Sequence, residues 1–478
     1  MKNRRFILFF ILMVLIGSSC KKFFDVTPQT EIVKDQLFQK ESGFRDALAG
    51  VYIQLKDNSA YGQAMTMTTL EYLVSSWDVT TNTPGYWMGL YNYNEVRTES
   101  NLAGIYRQQY KIIGAINEIL GQIDNRKDVF SEGMYEMIKG ECLALRAYCH
   151  FDILRLFGPL PTNPSVGNKL AYVKSVSTAQ NPLLSFDVFK TELISDLNTA
   201  ESLLKDVDPF TKYSITDFKK GNYKPDNDFS SYRYLRMNFY AVKALQARAY
   251  LWFNDAPKAY EAARFVIDAK NTDGTVKFRL GNATDMGNKD YALSCEHIMA
   301  LYDFQLLTKY TSMFPTGNFY KGTNATIINN ELFGNTGTDI REASLWALIA
   351  VNSYTNIYTL KKYASEASNM DNYYQIPLLR VSEMYMIAME TAPLTEANSL
   401  WSTFLLNRNY TDAELPADAE LRKLRLIKEY RKEFYAEGQA FFAYKRINAP
   451  KSSVLFSPAA ATINYLPPLP KIETTITQ

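Results

Sequence analysis

Apolar residues recur at helical spacing along most of this chain, and the exceptions are two long stretches. Between Glu31 and Leu55, the residues Leu37, Phe44, Leu48 and Tyr52 fall on one side of a helix. The pattern returns over Ile105–Ile123, with Ile105, Ile112, Ile116, Ile119 and Ile123. A further helix is predicted from about Ser131 to Phe157, carrying Cys142, Leu145, Cys149 and Leu156. Ser185 to Leu204 then holds Phe186, Phe189, Leu193, Leu197, Ala200 and Leu204 on one stripe. Asn238 to Lys270 reads as two helices, with Ala247, Tyr250 and Ala259 at the small, aromatic and small spacing of a tetratricopeptide repeat. Small side chains there let two antiparallel helices approach, and the tyrosine fills the groove between them. A second pair is predicted from Ile376 to Asn409. The pattern predicts a mainly α fold.

Near the C-terminus, Ile427, Tyr430 and Phe434 share a helix face, and Lys428, Glu429, Arg431, Lys432 and Glu433 fill the other. Gly438 breaks the period, as a residue free to take positive φ does at a helix end. Phe441, Phe442 and Tyr444 follow, closed by Lys445 and Arg446. Ile427 to Arg446 is therefore predicted to be a helix, a tight corner and a second helix.

Helical period fades in Thr66–Glu99 and in Asn271–Gln375. The first crowds Trp77, Tyr86, Trp87, Tyr91 and Tyr93 around Pro84-Gly85 and reads as an aromatic-rich loop. The second is rich in Gly, Asn, Thr and Tyr and reads as long loops with room for short strands. Exposed Trp and Tyr offer flat apolar faces with a polar edge, suited to stacking sugar rings or packing peptide side chains. Trp77, Tyr86, Trp87, Tyr91 and Tyr93 are thus the candidate ligand-binding residues, with closure of a small loop core as the alternative. Trp252 and Trp401 fall on helices and are expected in the core; Trp346 suits either role. Asn318 to Tyr358 is the next place to look for a site.

The N-terminus changes the picture of compartment. Lys2, Arg4 and Arg5 precede an apolar run from Phe6 to Ile16, and small residues lead to Cys20. That run is too short to span a bilayer and reads as a signal peptide over residues 1–19. Ile16-Gly17-Ser18-Ser19-Cys20 is similar to a bacterial lipobox, with Gly17 where an aliphatic residue is usual, so Cys20 is the expected lipidation site. Ordinary secretion with cleavage near Ser19 is the alternative. Removing the three basic residues of the signal leaves 49 Lys and Arg against 50 Asp and Glu. That balance gives nucleic acid no electrostatic footprint. Cys142 and Cys149, seven apart on one helix, stand about 10 Å apart along its axis, too far to bridge. With Cys295 they read as buried thiols.

Several segments carry a family's wording. The Arg/Glu-rich helix running into Glu437, Gly438, Phe441, Phe442, Lys445 and Arg446 resembles the C-terminal signature of the SusD/RagB family; Ala443 stands where that family has Asp. Lys21 to Pro28 resembles the start of its mature chains, and Phe44, Ala47, Leu48, Gly50 and Tyr52 its opening helix. Glu141 to Pro161, ECLALRAYCHFDILRLFGPLP, is similar to its "E…RA..yF.L…fG..P" run. Asp196, Leu197, Ala200 and Leu204 fit "DL..A…L", and the segment opening at Ile376, IPLLRVSEMYMIAMETA, resembles "ipllR.aE.yLi.AEA". The tail departs: Leu466-Pro467-Pro468-Leu469-Pro470 is followed only by Lys471 to Gln478.

The resemblance implies one domain over residues 20–478, with an N-terminal part to about 235 and a C-terminal part from about 236. It implies tetratricopeptide-like pairs in an α-α superhelical scaffold, with long irregular insertions that carry ligand choice. It also implies a non-catalytic lipoprotein on the outer-membrane surface. Such a protein binds an oligomeric nutrient, in this family more often a glycan than a peptide, beside a SusC-like TonB-dependent transporter. Two rivals stay open: a surface-anchored glycoside hydrolase on a helical scaffold, and a structural repeat adaptor. Glu71, Asp78, Glu95 and Glu99 would supply the hydrolase its carboxyl pair, which must stand ~5–10 Å apart. His150 lies inside an apolar helix, and His297 in Cys295-Glu296-His297 lacks metal-site spacing. With no phosphate loop, G-x-S-x-G elbow or H-E-x-x-H present, no cofactor or metal is expected.

Overall fold

The computed structural model describes residues 34–225, 228–365 and 374–476. The signal segment and Cys20 lie outside the described residues. Helices dominate. α1 (Glu41–Leu55) is followed by the short α2 (Thr69–Leu73) and α3 (Pro84–Gly89). Next come α4 (Val96–Ile123), α5 (Met134–Phe157), α6 (Phe186–Leu204), α7 (Phe239–Trp252) and α8 (Ala256–Ile267). Each of α4 to α8 packs on its predecessor; α9 (Leu306–Met313) and α10 (Ile340–Ser344) are short, and beyond them α8 packs on α11 (Val381–Thr391), which pairs with α12 (Leu394–Asn407). This is the stacked helix-pair scaffold expected. In the α7–α8 pair Ala247 and Ala259 are fully buried, small side chains where the two helices pack together.

Local chemistry sets the helix ends. α4 starts nine residues before its apolar stripe because the Glu95 carboxylate accepts from Thr98 N at 2.9 Å. Asn238 caps α7 by accepting from Ala241 N at 2.9 Å. Between Asn271 and Gln375 strands do form. β1 (His297–Tyr302) pairs antiparallel with β4 (Gln375–Arg380), and β2 (Trp346–Asn352) forms a hairpin with β3 (Thr355–Leu360). The predicted helix pair from Ile376 therefore begins as a strand: Gln375 to Arg380 is buried throughout, and the helix starts at Val381. Hydrogen bonding to β1 overrides the local helical pattern there.

The C-terminal corner is α13 (Ala419–Glu433), Gly438 and α14 (Gln439–Arg446). Gly438 has φ +70, its N–H donates to Glu71 Oε1 at 3.0 Å, and a Cβ there would stand 1.9 Å from the Met65 carbonyl oxygen. Only glycine fits. The charged face of α13 is turned inward. Glu433 accepts from Arg341, Arg380 and Arg408 at 2.6–3.0 Å, with Glu296, Glu429, Glu437, Asp339 and Lys362 completing a buried network. Burial pushes the Glu433 carboxyl up, but the three guanidinium groups outweigh it and hold it well below the usual range.

Other residues of the recurring motifs are also buried ion pairs. Arg146 of α5 grips Asp196 of α6 through two bonds of 2.7 and 2.8 Å. Glu141 binds Arg233 and Arg236, and Arg248 binds Glu383. Lys445 Nζ donates to the Leu156 and Gly158 carbonyls, both at 2.8 Å, at the C-terminal end of α5.

Candidate functional site

The aromatic segment Thr66–Glu99 is irregular but not an open loop. Trp77 is 2% exposed; its Nε1 donates to the Met67 carbonyl at 2.8 Å. Its ring packs on Phe314, Phe319 and Tyr435 at 5.1–5.7 Å between centroids. Trp77 is therefore core and presents no face to a ligand. Tyr91 and Tyr93 are buried as well, set edge-on to each other, and Tyr93 donates to the Asn464 carbonyl. Tyr86 and Trp87 differ. They sit on α3, half-buried, 5.0 Å apart and edge-to-face, with Trp87 Nε1 donating to Asn82 Oδ1 at 3.2 Å. Of the five aromatic candidates these two keep accessible ring surface. Trp346 stacks on Tyr358 at 5.8 Å and is buried. Trp252 and Trp401 are in the core.

The four carboxylates of that segment all hold structure together. Glu71 accepts from Gly438 N and from Ser76 Oγ, and Asp78 accepts from Gly322 N at 2.8 Å while pairing with Lys321. Glu95 caps α4, and Glu99 accepts from Lys471 N. His150 is fully buried: Nδ1 donates to the Arg146 carbonyl and Nε2 accepts from Val173 N, both at 2.9 Å. Burial pulls its pKa down to about 3, so it stays neutral. Among the described residues no three His, Cys, Asp or Glu side chains are grouped to hold a metal, and Cys142, Cys149 and Cys295 are free thiols.

A ligand-sized space lies elsewhere. A cleft of about 900 Å³ runs along α13, between it, the π-helical turn Ile327–Phe333 and the segments around Tyr410 and Ser452. Gly334, at φ +73, ends that turn and shapes the far wall. Phe333, Tyr410 and Tyr444 give it aromatic surface; Thr336, Thr411, Ser452 and Ser453 give it hydroxyls. Arg425, Lys428, Arg431 and Lys432 form the α13 wall, with Glu331 and Asp412 also lining the space. Arg425 pairs with Asp412, and Lys432 Nζ donates to Glu429 at 2.7 Å and lies 5.2 Å from the Tyr410 ring centroid. Arg431 donates to Ser76 Oγ at 2.6 Å and to the Val74 carbonyl at 3.0 Å, which ties the cleft to the base of the aromatic segment. The spacing Arg425, Lys428, Arg431, Lys432 was legible as one helix face. Phe333 and Thr336, in a stretch without period, carried no such signal.

A family model described as SusD-like, "Starch-binding associating with outer membrane", matches residues 22–219. The SusD-like protein P25 of Formosa agariphila is 26% identical over 214 residues, a match spanning 42% of this chain and 38% of that relative's length. These matches liken the chain to SusD-like proteins, the family model doing so over its N-terminal part. Solved SusD-like structures share the fold across nearly the whole chain. A SusD homolog from Bacteroides thetaiotaomicron superposes with TM-score 0.66 at 16% identity, covering 94% of this chain and 97% of its own. Surface glycan-binding protein A of the same species, solved with laminarihexaose, gives TM-score 0.65 at 14% identity over 92% and 98%. No helix among the described residues is long and apolar enough to cross a membrane.

Proposed function

We propose that this chain is a glycan-binding protein of the outer-membrane surface, anchored through lipid on Cys20, that captures an oligosaccharide and delivers it to a SusC-like TonB-dependent transporter. The observation that carries the binding reading is the α13 cleft. Its volume suits a few sugar rings, and it combines aromatic faces with hydroxyl and charged groups, the mixture that orients a polar ring while burying its apolar side. The family description and the laminarihexaose-bound neighbour support a glycan over a peptide. Tyr86 and Trp87 supply a second stacking face on α3.

Binding without hydrolysis fits the carboxylates. Glu71, Asp78, Glu95 and Glu99 are each engaged with backbone N–H groups, and Asp412 in the cleft is held by Arg425. None stands as a free acid beside a free base. The test is calorimetric titration of the purified mature protein with a panel of oligosaccharides, followed by analysis of the recovered sugars. Binding with intact recovery is expected. Release of new reducing ends would put the hydrolase in its place, and no binding across the panel would remove the glycan reading.

A further inference from the structure

Resting on that glycan reading, we infer that the α13 cleft selects oligosaccharides bearing anionic groups, carboxylate or sulfate, over neutral ones. Arg425, Lys428, Arg431 and Lys432 fall at i, i+3, i+6 and i+7, so a single helix face brings four cations to one wall. The carboxylates that balance two of them, Glu71 for Arg431 and Glu429 for Lys432, are buried and line no part of the cleft. The cleft therefore meets the cationic side of those pairs. Lys428 is exposed and, among the described residues, has no ion pair.

Arg431 adds an independent sign. Its side chain is 1% exposed, both terminal nitrogens are bonded, and its Nε–H has no acceptor. A buried donor left unmatched costs free energy until an acceptor arrives. A neutral sugar offers hydroxyls, which donate as well as accept. Carboxylate and sulfate only accept, and their hydrogen bonds to guanidinium and ammonium are charge-assisted. Glu331 and Asp412 also line the cleft, Asp412 paired with Arg425, so four cations stand against two carboxylates in its lining.

The experiment titrates the mature protein with three probes of matched length: an oligogalacturonate, a sulfated galactan oligosaccharide and laminarihexaose. At least one anionic probe is expected to bind roughly tenfold or more tighter than laminarihexaose, and to weaken as salt rises from about 50 to about 300 mM. The two anionic probes separate carboxylate from sulfate recognition. Lys428→Ala is expected to weaken the preferred anionic probe by about three- to tenfold without moving the melting temperature, since Lys428 is exposed. Lys428→Glu is expected to weaken it further. Equal affinity for all three probes, binding of laminarihexaose alone, or unchanged anionic binding in both Lys428 variants would overturn the inference and leave glycan binding standing. Binding of none would overturn both.

Discussion

The aromatic segment Thr66–Glu99 and the α13–α14 corner invert what their residue types suggest. The first offers Trp and Tyr, yet Trp77, Tyr91 and Tyr93 turn inward, leaving Tyr86 and Trp87 with accessible faces. The second offers a charged face, yet Glu429, Arg431 and Glu433 are almost fully buried, and Lys428 alone of Lys428–Glu433's charged run is exposed. The regions are also built against each other. Glu71 holds the Gly438 N–H, Arg431 holds Ser76 and Val74, and Trp77 packs on Tyr435. Aromatic residues become core where a partner surface meets them, and charges become core where opposite charges meet them at the right distance. A residue's exposure is settled by what packs on it.

The largest effects should come from emptying the two inward faces. Glu433→Ala leaves three buried guanidinium groups without their shared carboxylate and should cost about 3–5 kcal/mol in chemical denaturation. A loss under about 1 kcal/mol would mean the network is solvated. Trp77→Ala should cost about 3–5 kcal/mol, because its ring fills a packed aromatic cluster. Should it instead weaken glycan binding with stability intact, Trp77 is a ligand contact and the contrast between the regions fails.

Acid should act next. Burial raises the Glu429 carboxyl, but Arg341 and Lys432 overcome it and bring it to about 2, below the 4.5 of an ordinary glutamate. The unfolded chain therefore takes up a proton first as pH falls. Stability from this group is complete above about pH 4.5 and is lost as pH falls towards 2, by about 3 kcal/mol in all. Denaturation midpoints measured from pH 6 to 2 should fall, and Glu429→Gln should flatten that slope. A slope unchanged in the variant would mean other carboxylates carry it. The smallest effect belongs to the accessible aromatic: Trp87→Ala should leave melting within about 0.5 kcal/mol and weaken glycan affinity by about 1 kcal/mol, roughly fivefold. Melting loss with full affinity would make Trp87 another core residue.

What the sequence determined by itself was the scaffold. Apolar period placed α4 to α8 to within a few residues, except where a cap such as Glu95 extended the helix, and α1 at its C-terminal end only, since Leu37 falls before its start at Glu41; one-sided burial imposes a repeat on neighbouring positions. The recurring motifs were legible too, and several of their charged letters proved to be buried pairs: Arg146 with Asp196, Arg248 with Glu383, Arg380 with Glu433 and Glu437. Only the tertiary structure decided which aromatics face solvent, that Ile376 opens a strand, and that Phe333, Tyr410 and Arg425 share one cleft. A helical period reports contacts within a turn or two of chain, whereas the cleft joins segments up to about 120 positions apart, whose meeting leaves no local repeat to read.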